Sequence, residues 1–265
     1  FIFFVSLLFV PESPRWYVLK NKPERAKKTL SRINGQLQAE KELASIIQVK
    51  EKEGKANWRA LLRPGIRIAV VAGILLAVLS QFTGINAIIY YGPRIMEQAG
   101  LKLSEALGGQ VIIGFVNVAA TFFAIWKIDQ YGRKKLMKGG ITGMMVSLII
   151  ISILFMLDLS SGILILVFIL LFIASFAIGY GPVIWVLLSE IYPAHVRGRA
   201  MSIATLALWL GTAIIGQVVP WMLDNLTPAG TFIVFAAFCI PVPIILKRLP
   251  ETKGMSLEEI ETGWG

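Results

Sequence analysis

IAVVAGILLAVLSQFTGINAIIYYG, residues 68–92, contains no Asp, Glu, Lys or Arg. A helix needs about 20 mostly apolar residues to cross the hydrocarbon core of a bilayer. Five further charge-free stretches follow, at 106–126, 139–157, 159–188, 200–223 and 230–246. The whole chain of 265 residues is 56% hydrophobic and only 16% charged, with a mean hydropathy of +0.71. A soluble domain carries about 25% charge. The pattern therefore predicts an all-α membrane protein with six spans in this chain. It excludes an ordinary soluble enzyme. The single Cys239 excludes a disulfide framework and a cysteine metal site.

The net charge of +10 has a topological reading. Connecting six spans alternately places 24 Lys and Arg on one side, in 11–67, 127–138, 189–199 and 247–265. The other side holds only Arg94 and Lys102. That asymmetry is a positive-inside signal and makes the basic side cytoplasmic. Nucleic acid is not needed to explain the charge. Residues 1–10, FIFFVSLLFV, are too short to span and lack the basic start of a signal peptide. They read as the end of a truncated span whose first half precedes the chain. Residues 11–65 read as a cytoplasmic linker of short amphipathic helices. Asn21 and Pro23-Glu24 give start signals, and Ala26, Leu30, Ile33 and Leu37 recur at helical spacing, as do Leu43, Ile46 and Ile47. Residues 66–247 form the bundle, and 248–265 a cytoplasmic tail.

The spans divide into two triplets, 68–157 and 159–246. The first span of each is interrupted, by Gly84 and Gly92-Pro93 in one and by Gly179-Tyr180-Gly181-Pro182 in the other. Proline removes a backbone donor and glycine loosens a helix. Breaks at corresponding positions of two repeats point to a transporter's binding site. Ser80, Gln81, Thr83, Asn86, Tyr90 and Tyr91 cluster about the first break. Thr83, Asn86 and Tyr90 are spaced to share one helix face. Amides offer donors and acceptors to an uncharged polyhydroxyl solute, and Trp185 and Trp209 offer faces for a sugar ring. Asn117, alone in its span, reads equally as a ligand or as an interhelical hydrogen bond. Gly139 and Gly143 form a small-xxx-small pair that favours close helix packing. No metal set, phosphate-cradling loop or nucleophile with an acid–base partner appears, and His195 has none of the company a catalytic residue needs. The chain is read as no enzyme, with no catalytic residue, cofactor or metal.

Five strings, taken together, resemble the sugar porter family of the major facilitator superfamily. They are PESPRW at 11–16, QFTGINAIIYYGP at 81–93, DQYGRKK at 129–135, GYGPVIWVLLSEIYPAHVRGRA at 179–200 and LPETKG at 249–254. The resemblance implies the C-terminal six-helix bundle of that fold, with helices seven to twelve as two inverted three-helix repeats. An N-terminal six-helix domain of the same chain is its implied partner. It implies a secondary transporter moving a monosaccharide, hexose or pentose, by alternating access, with proton coupling through the N-terminal half. Passive facilitation and a sugar sensor on the same fold are the alternatives. Substrate contacts carried over are Gln81, Asn86, Asn117, Trp185 and Trp209, with Tyr90 and Tyr91 at the outer gate. A cytoplasmic conformational latch is implied at Glu12, Arg15, Asp129, Arg133, Lys134, Glu190, Arg197 and Glu251. The chain departs from the family at Ser80, where a second glutamine is usual, and at Ile184 and Leu208. The implied location is the plasma or bacterial inner membrane.

Overall fold

The computed structural model describes residues 12–52, 58–159, 161–193, 196–249 and 251, with Val5 and Val10. The readings of residues 1–10 as a span end, of His195 and of the tail after Glu251 lie outside the described residues, apart from Val5 and Val10. The chain forms two compact units, 1–57 and 58–265.

The first unit holds α1 (Pro14–Leu19), α2 (Pro23–Asn34) and α3 (Gln36–Lys52). Ser13 caps α1 by accepting a hydrogen bond from the Trp16 N–H. Pro23 occupies the first turn of α2, where its missing N–H is harmless. Gly35, at φ 78°, ends α2. The periodicity read across 26–37 therefore crosses a helix boundary. Ala26 and Leu30 are buried as expected, but Ile33 is exposed. Lys27 donates to Glu40 at 2.7 Å, which raises the lysine pKa and lowers that of the carboxylate. Both groups lie open to water, so the pair stabilises little.

In the second unit a short 3₁₀ turn, Trp58–Leu62, precedes nine helices among the described residues. These are α4 (Ile66–Phe82), α5 (Ile85–Gln98), α6 (Leu103–Tyr131), α7 (Arg133–Met156) and α8 (Gly162–Gly179). They continue with α9 (Gly181–Ile191), α10 (Arg197–Asn225), α11 (Thr227–Cys239) and α12 (Pro241–Arg248). They make six spans long and apolar enough to cross a membrane: α4–α5, α6, α7, α8–α9, α10 and α11–α12. The first span breaks at Gly84 and the fourth at Tyr180, as the sequence predicted, but α5 runs on through Gly92-Pro93, where the sequence had marked a second interruption. A third break, at Ile240 before Pro241, was not anticipated. Val111, Phe115 and Phe122 on α6 are exposed, as expected of a face turned to lipid or to another apolar domain.

Packing follows the small residues. A Cβ on Gly140 would lie 2.5 Å from the Gly179 Cα, and one on Gly179 would lie 2.4 Å from the Gly140 Cα. The two backbones touch, which seals α7 against α8. Gly143 lies against Ser175, but Gly139 faces open space. The close pair is thus Gly140 with Gly179, one residue out of phase with the predicted glycine pair.

Candidate functional site

The first span breaks because Gly84 adopts φ 90°, a left-handed conformation that side chains disfavour. A Cβ there would also strike the Phe235 ring at 2.5 Å, so the break is lodged against α11. Helical phase is lost between Thr83 and Asn86. Thr83 is fully buried and donates to the Ser80 carbonyl, whereas Tyr90 is exposed. The single face expected for Thr83, Asn86 and Tyr90 does not exist.

A polar set spans the break instead. Asn86 Nδ2 donates to Gln81 Oε1 at 2.6 Å, and Thr212 Oγ1 on α10 donates to the same oxygen at 3.0 Å. Gln81 Nε2 donates to Ser80 Oγ at 2.9 Å, and Ser80 Oγ donates to the Ala77 carbonyl at 2.6 Å. Gly211 lets α10 approach, since a Cβ there would lie 3.4 Å from Gln81 Cβ. The Gln81 side chain is thus held at both ends by protein groups. One of its N–H groups remains, together with one N–H and the carbonyl oxygen of Asn86. These are the groups the arrangement can offer to a neutral polar ligand. Ser80 is buried and occupied in orienting Gln81.

Two prolines shape the part of the site beyond the break, on α5 and α10. Pro93 cannot donate to the Ile89 carbonyl one turn earlier. Gln110 Nε2 on α6 donates to that carbonyl at 2.9 Å. Pro220 in α10 likewise frees the Gly216 carbonyl, and Tyr91 Oη donates to it at 2.7 Å. Tyr91 therefore pins α5 to α10. Its neighbour Tyr90 is exposed. At the second break the buried Tyr180 donates to the Leu76 carbonyl at 2.8 Å and stacks on Phe176.

Asn117 is half-buried on α6, and its side-chain amide makes no hydrogen bond among the described residues. Trp185 is 39% exposed and Trp209 60% exposed, and neither bonds to the Gln81 set. Thr212 and Gln110 were not picked out from the sequence. Thr212 had no legible signal. The proline four residues after Ile89 could have suggested a nearby donor.

At the basic end Gly132 alone separates α6 from α7. Arg133 reaches Glu190 through Nε at 3.0 Å and Nη2 at 2.7 Å, and Asp129 through Nη1 at 2.8 Å. This bidentate fork ties α6, α7 and α9 together. Lys134 donates to the Leu249 carbonyl, adding the end of α12. Arg197 Nε donates to the Tyr192 carbonyl at 3.2 Å. Glu251 has a buried carboxylate oxygen that accepts no hydrogen bond among the described residues. Glu12 and Arg15 belong to the first unit and are exposed. Among the expected latch residues, the structure joins Asp129, Arg133 and Glu190 by direct side-chain bonds.

A six-span bundle with paired breaks and a polar set at one of them defines a membrane transport domain. The family described as "Sugar (and other) transporter" matches residues 1–264. The arabinose-proton symporter of Bacillus subtilis strain 168 is 44% identical over 264 residues, covering 99% of this chain and 57% of the relative. The D-xylose-proton symporter of Escherichia coli strain K12 is 33% identical over 270 residues, covering 99% and 54%. The structure of the proton:xylose symporter XylE bound to 6-bromo-6-deoxy-D-glucose superposes with a TM-score of 0.85 at 32% identity, covering 100% of this chain and 56% of that one. The chain belongs to the sugar porter family of the major facilitator superfamily, and it spans about half the length of the relatives it matches.

Proposed function

We propose that this chain supplies the sugar-contacting half of a secondary transporter that moves a monosaccharide by alternating access, with proton symport. Gln81, Asn86 and Asn117 are the polar contacts, Trp185 and Trp209 the ring faces, and Tyr90 and Tyr91 the outer gate. The observation that carries this reading is the Ser80–Gln81–Asn86–Thr212 set, fixed across the break at Gly84 with amide groups left over. Symport is supported by relatives named as arabinose-proton and D-xylose-proton symporters. The charge-free spans hold no carboxylate, and Glu190 is committed to Arg133. The coupling group is therefore assigned to an N-terminal six-helix partner domain. The basic end faces the cytoplasm, and the Asp129–Arg133–Glu190 cluster there biases the balance between outward-open and inward-open states. Glu12, Arg15, Lys134, Arg197 and Glu251 complete that latch.

Uptake of labelled pentoses and hexoses into proteoliposomes by the full-length protein tests this. Gln81→Ala should weaken apparent affinity by about 2- to 13-fold, the loss of roughly 0.5–1.5 kcal/mol for one neutral hydrogen bond. Wild-type affinity in Gln81→Ala, or no saturable uptake of any monosaccharide by wild type, refutes the reading.

A further inference from the structure

The two triplets of spans predict that equivalent seams pack alike. The seam between the third and fourth spans, α7 and α8, is closed by backbone contact at Gly140 and Gly179. Its counterpart lies between the first and sixth spans. There α4 presents the bulky Val71, Leu75 and Val78, and the seam is open. Two cavities of about 380 and 420 Å³ lie along it and share Leu75, Ile244 and Ile245, so they form one groove.

The groove is chemically graded. Its inner end is lined by Phe82, Phe238 and Pro241 and exposes no polar surface. Its outer end is flanked by Arg67 at the start of α4 and Arg248 at the end of α12. Both arginines are exposed, and neither guanidinium makes an ion pair or hydrogen bond among the described residues. From Arg67 to Phe82 the helix advances about 22 Å at 1.5 Å per residue. That carries the groove from the interface past the midpoint of a hydrocarbon core about 30 Å thick. Two exposed guanidinium groups at the mouth, unpaired among the described residues, and an apolar trough of half-bilayer depth match one molecule, an anionic glycerophospholipid. The phosphate suits the arginine forks and the acyl chain suits the trough. A sugar does not suit a trough without polar groups.

We propose that an anionic phospholipid binds in the groove between α4 and α11–α12, its phosphate on Arg67 and Arg248 and one chain along Leu75 and Ile244 towards Phe82. A wedge at this place holds apart two spans whose breaks, at Gly84 and Ile240, lie near its inner end. The lipid thus acts on the mobility of the interrupted first span without touching the sugar contacts.

The test uses the full-length protein in phosphatidylcholine vesicles, with a bimane label on Ile240→Cys beside the inner end of the groove. Phosphatidylglycerol with brominated chains should quench the label at roughly thirtyfold lower mole fraction than brominated phosphatidylcholine, given about 1 kcal/mol for each of two basic residues near an anionic headgroup. Arg67→Gln with Arg248→Gln should abolish that preference. Leu75→Trp, which fills the trough and leaves both arginines, should abolish it too. Equal quenching by the two lipids in the protein with both arginines overturns the proposal. So does a preference that survives the double arginine change, or no quenching by either lipid, which would mean that protein covers the groove. The comparison of lipids on the protein with both arginines stands even if the double variant does not fold.

Discussion

Thr212→Val gives the sharpest test of the site geometry. Valine keeps the volume and branching of threonine and removes only the hydroxyl. In the structure that hydroxyl donates to Gln81 Oε1 at 3.0 Å and sits 3.1 Å from the Leu208 carbonyl. Gln81 Oε1 keeps Asn86 as a donor, so no buried oxygen is stranded. The loss should be that of one interhelical hydrogen bond in a membrane protein, about 0.6 and at most about 1.7 kcal/mol. If Gln81 must point correctly to meet the ligand, that loss appears as a rise in sugar Kd of roughly 3- to 18-fold. Thr212→Ser keeps the donor and should bind nearly as wild type. Equilibrium binding to the purified full-length protein, by calorimetry or scintillation proximity, reads both variants. Wild-type Kd in Thr212→Val would refute the idea that the α10 hydroxyl orients Gln81. Equal losses in the serine and valine variants would show that packing, not the hydrogen bond, matters here.

Tyr91→Phe should destabilise the full-length protein by about 0.6–1.7 kcal/mol in a reversible unfolding assay, because it uncaps the Gly216 carbonyl that Pro220 freed. In a Pro220→Ala background, where the helix supplies its own donor, the same change should have a clearly smaller effect; equal effects would sink the explanation. Gly140→Ala should destabilise by roughly 1–3 kcal/mol through overpacking against Gly179, while Gly139→Ala, which meets nothing, should be neutral or slightly favourable by thermal melting. Glu190→Gln should change the ratio of outward- to inward-facing accessibility labelling and the turnover rate while sugar Kd stays put, since Arg133 loses the charged partner on α9 and keeps only Asp129. Proton-driven accumulation should survive that change; uncoupling with sugar exchange preserved would place the proton site in this bundle.

The number and order of the spans were legible in the sequence because they rest on one-dimensional quantities. Charge-free runs of sufficient length must be spans, and the basic residues fall almost wholly between alternate ones. The breaks at Gly84 and Gly179–Pro182 were legible for a local reason as well, since glycine and proline act on their own backbone. Even there the reading stopped at the residue level. A helical face drawn through Thr83, Asn86 and Tyr90 assumed an unbroken phase that the left-handed Gly84 removes. Gly139 was paired with Gly143 from spacing alone, yet rotation of α7 in the bundle turns Gly140 towards Gly179. Contacts between distant parts of the chain were beyond sequence arithmetic. Thr212 lies 131 residues from Gln81, and Tyr91 finds a carbonyl on another helix only because Pro220 freed it. Arg133 and Glu190 stood as separate motif residues until their helix ends met. Hydrophobicity and backbone chemistry are written residue by residue, so the sequence by itself determined which segments are apolar enough to cross a membrane and where the first and fourth of them break. Hydrogen-bond partnership and seam closure depend on how helices rotate and approach one another, and only the tertiary structure decided those.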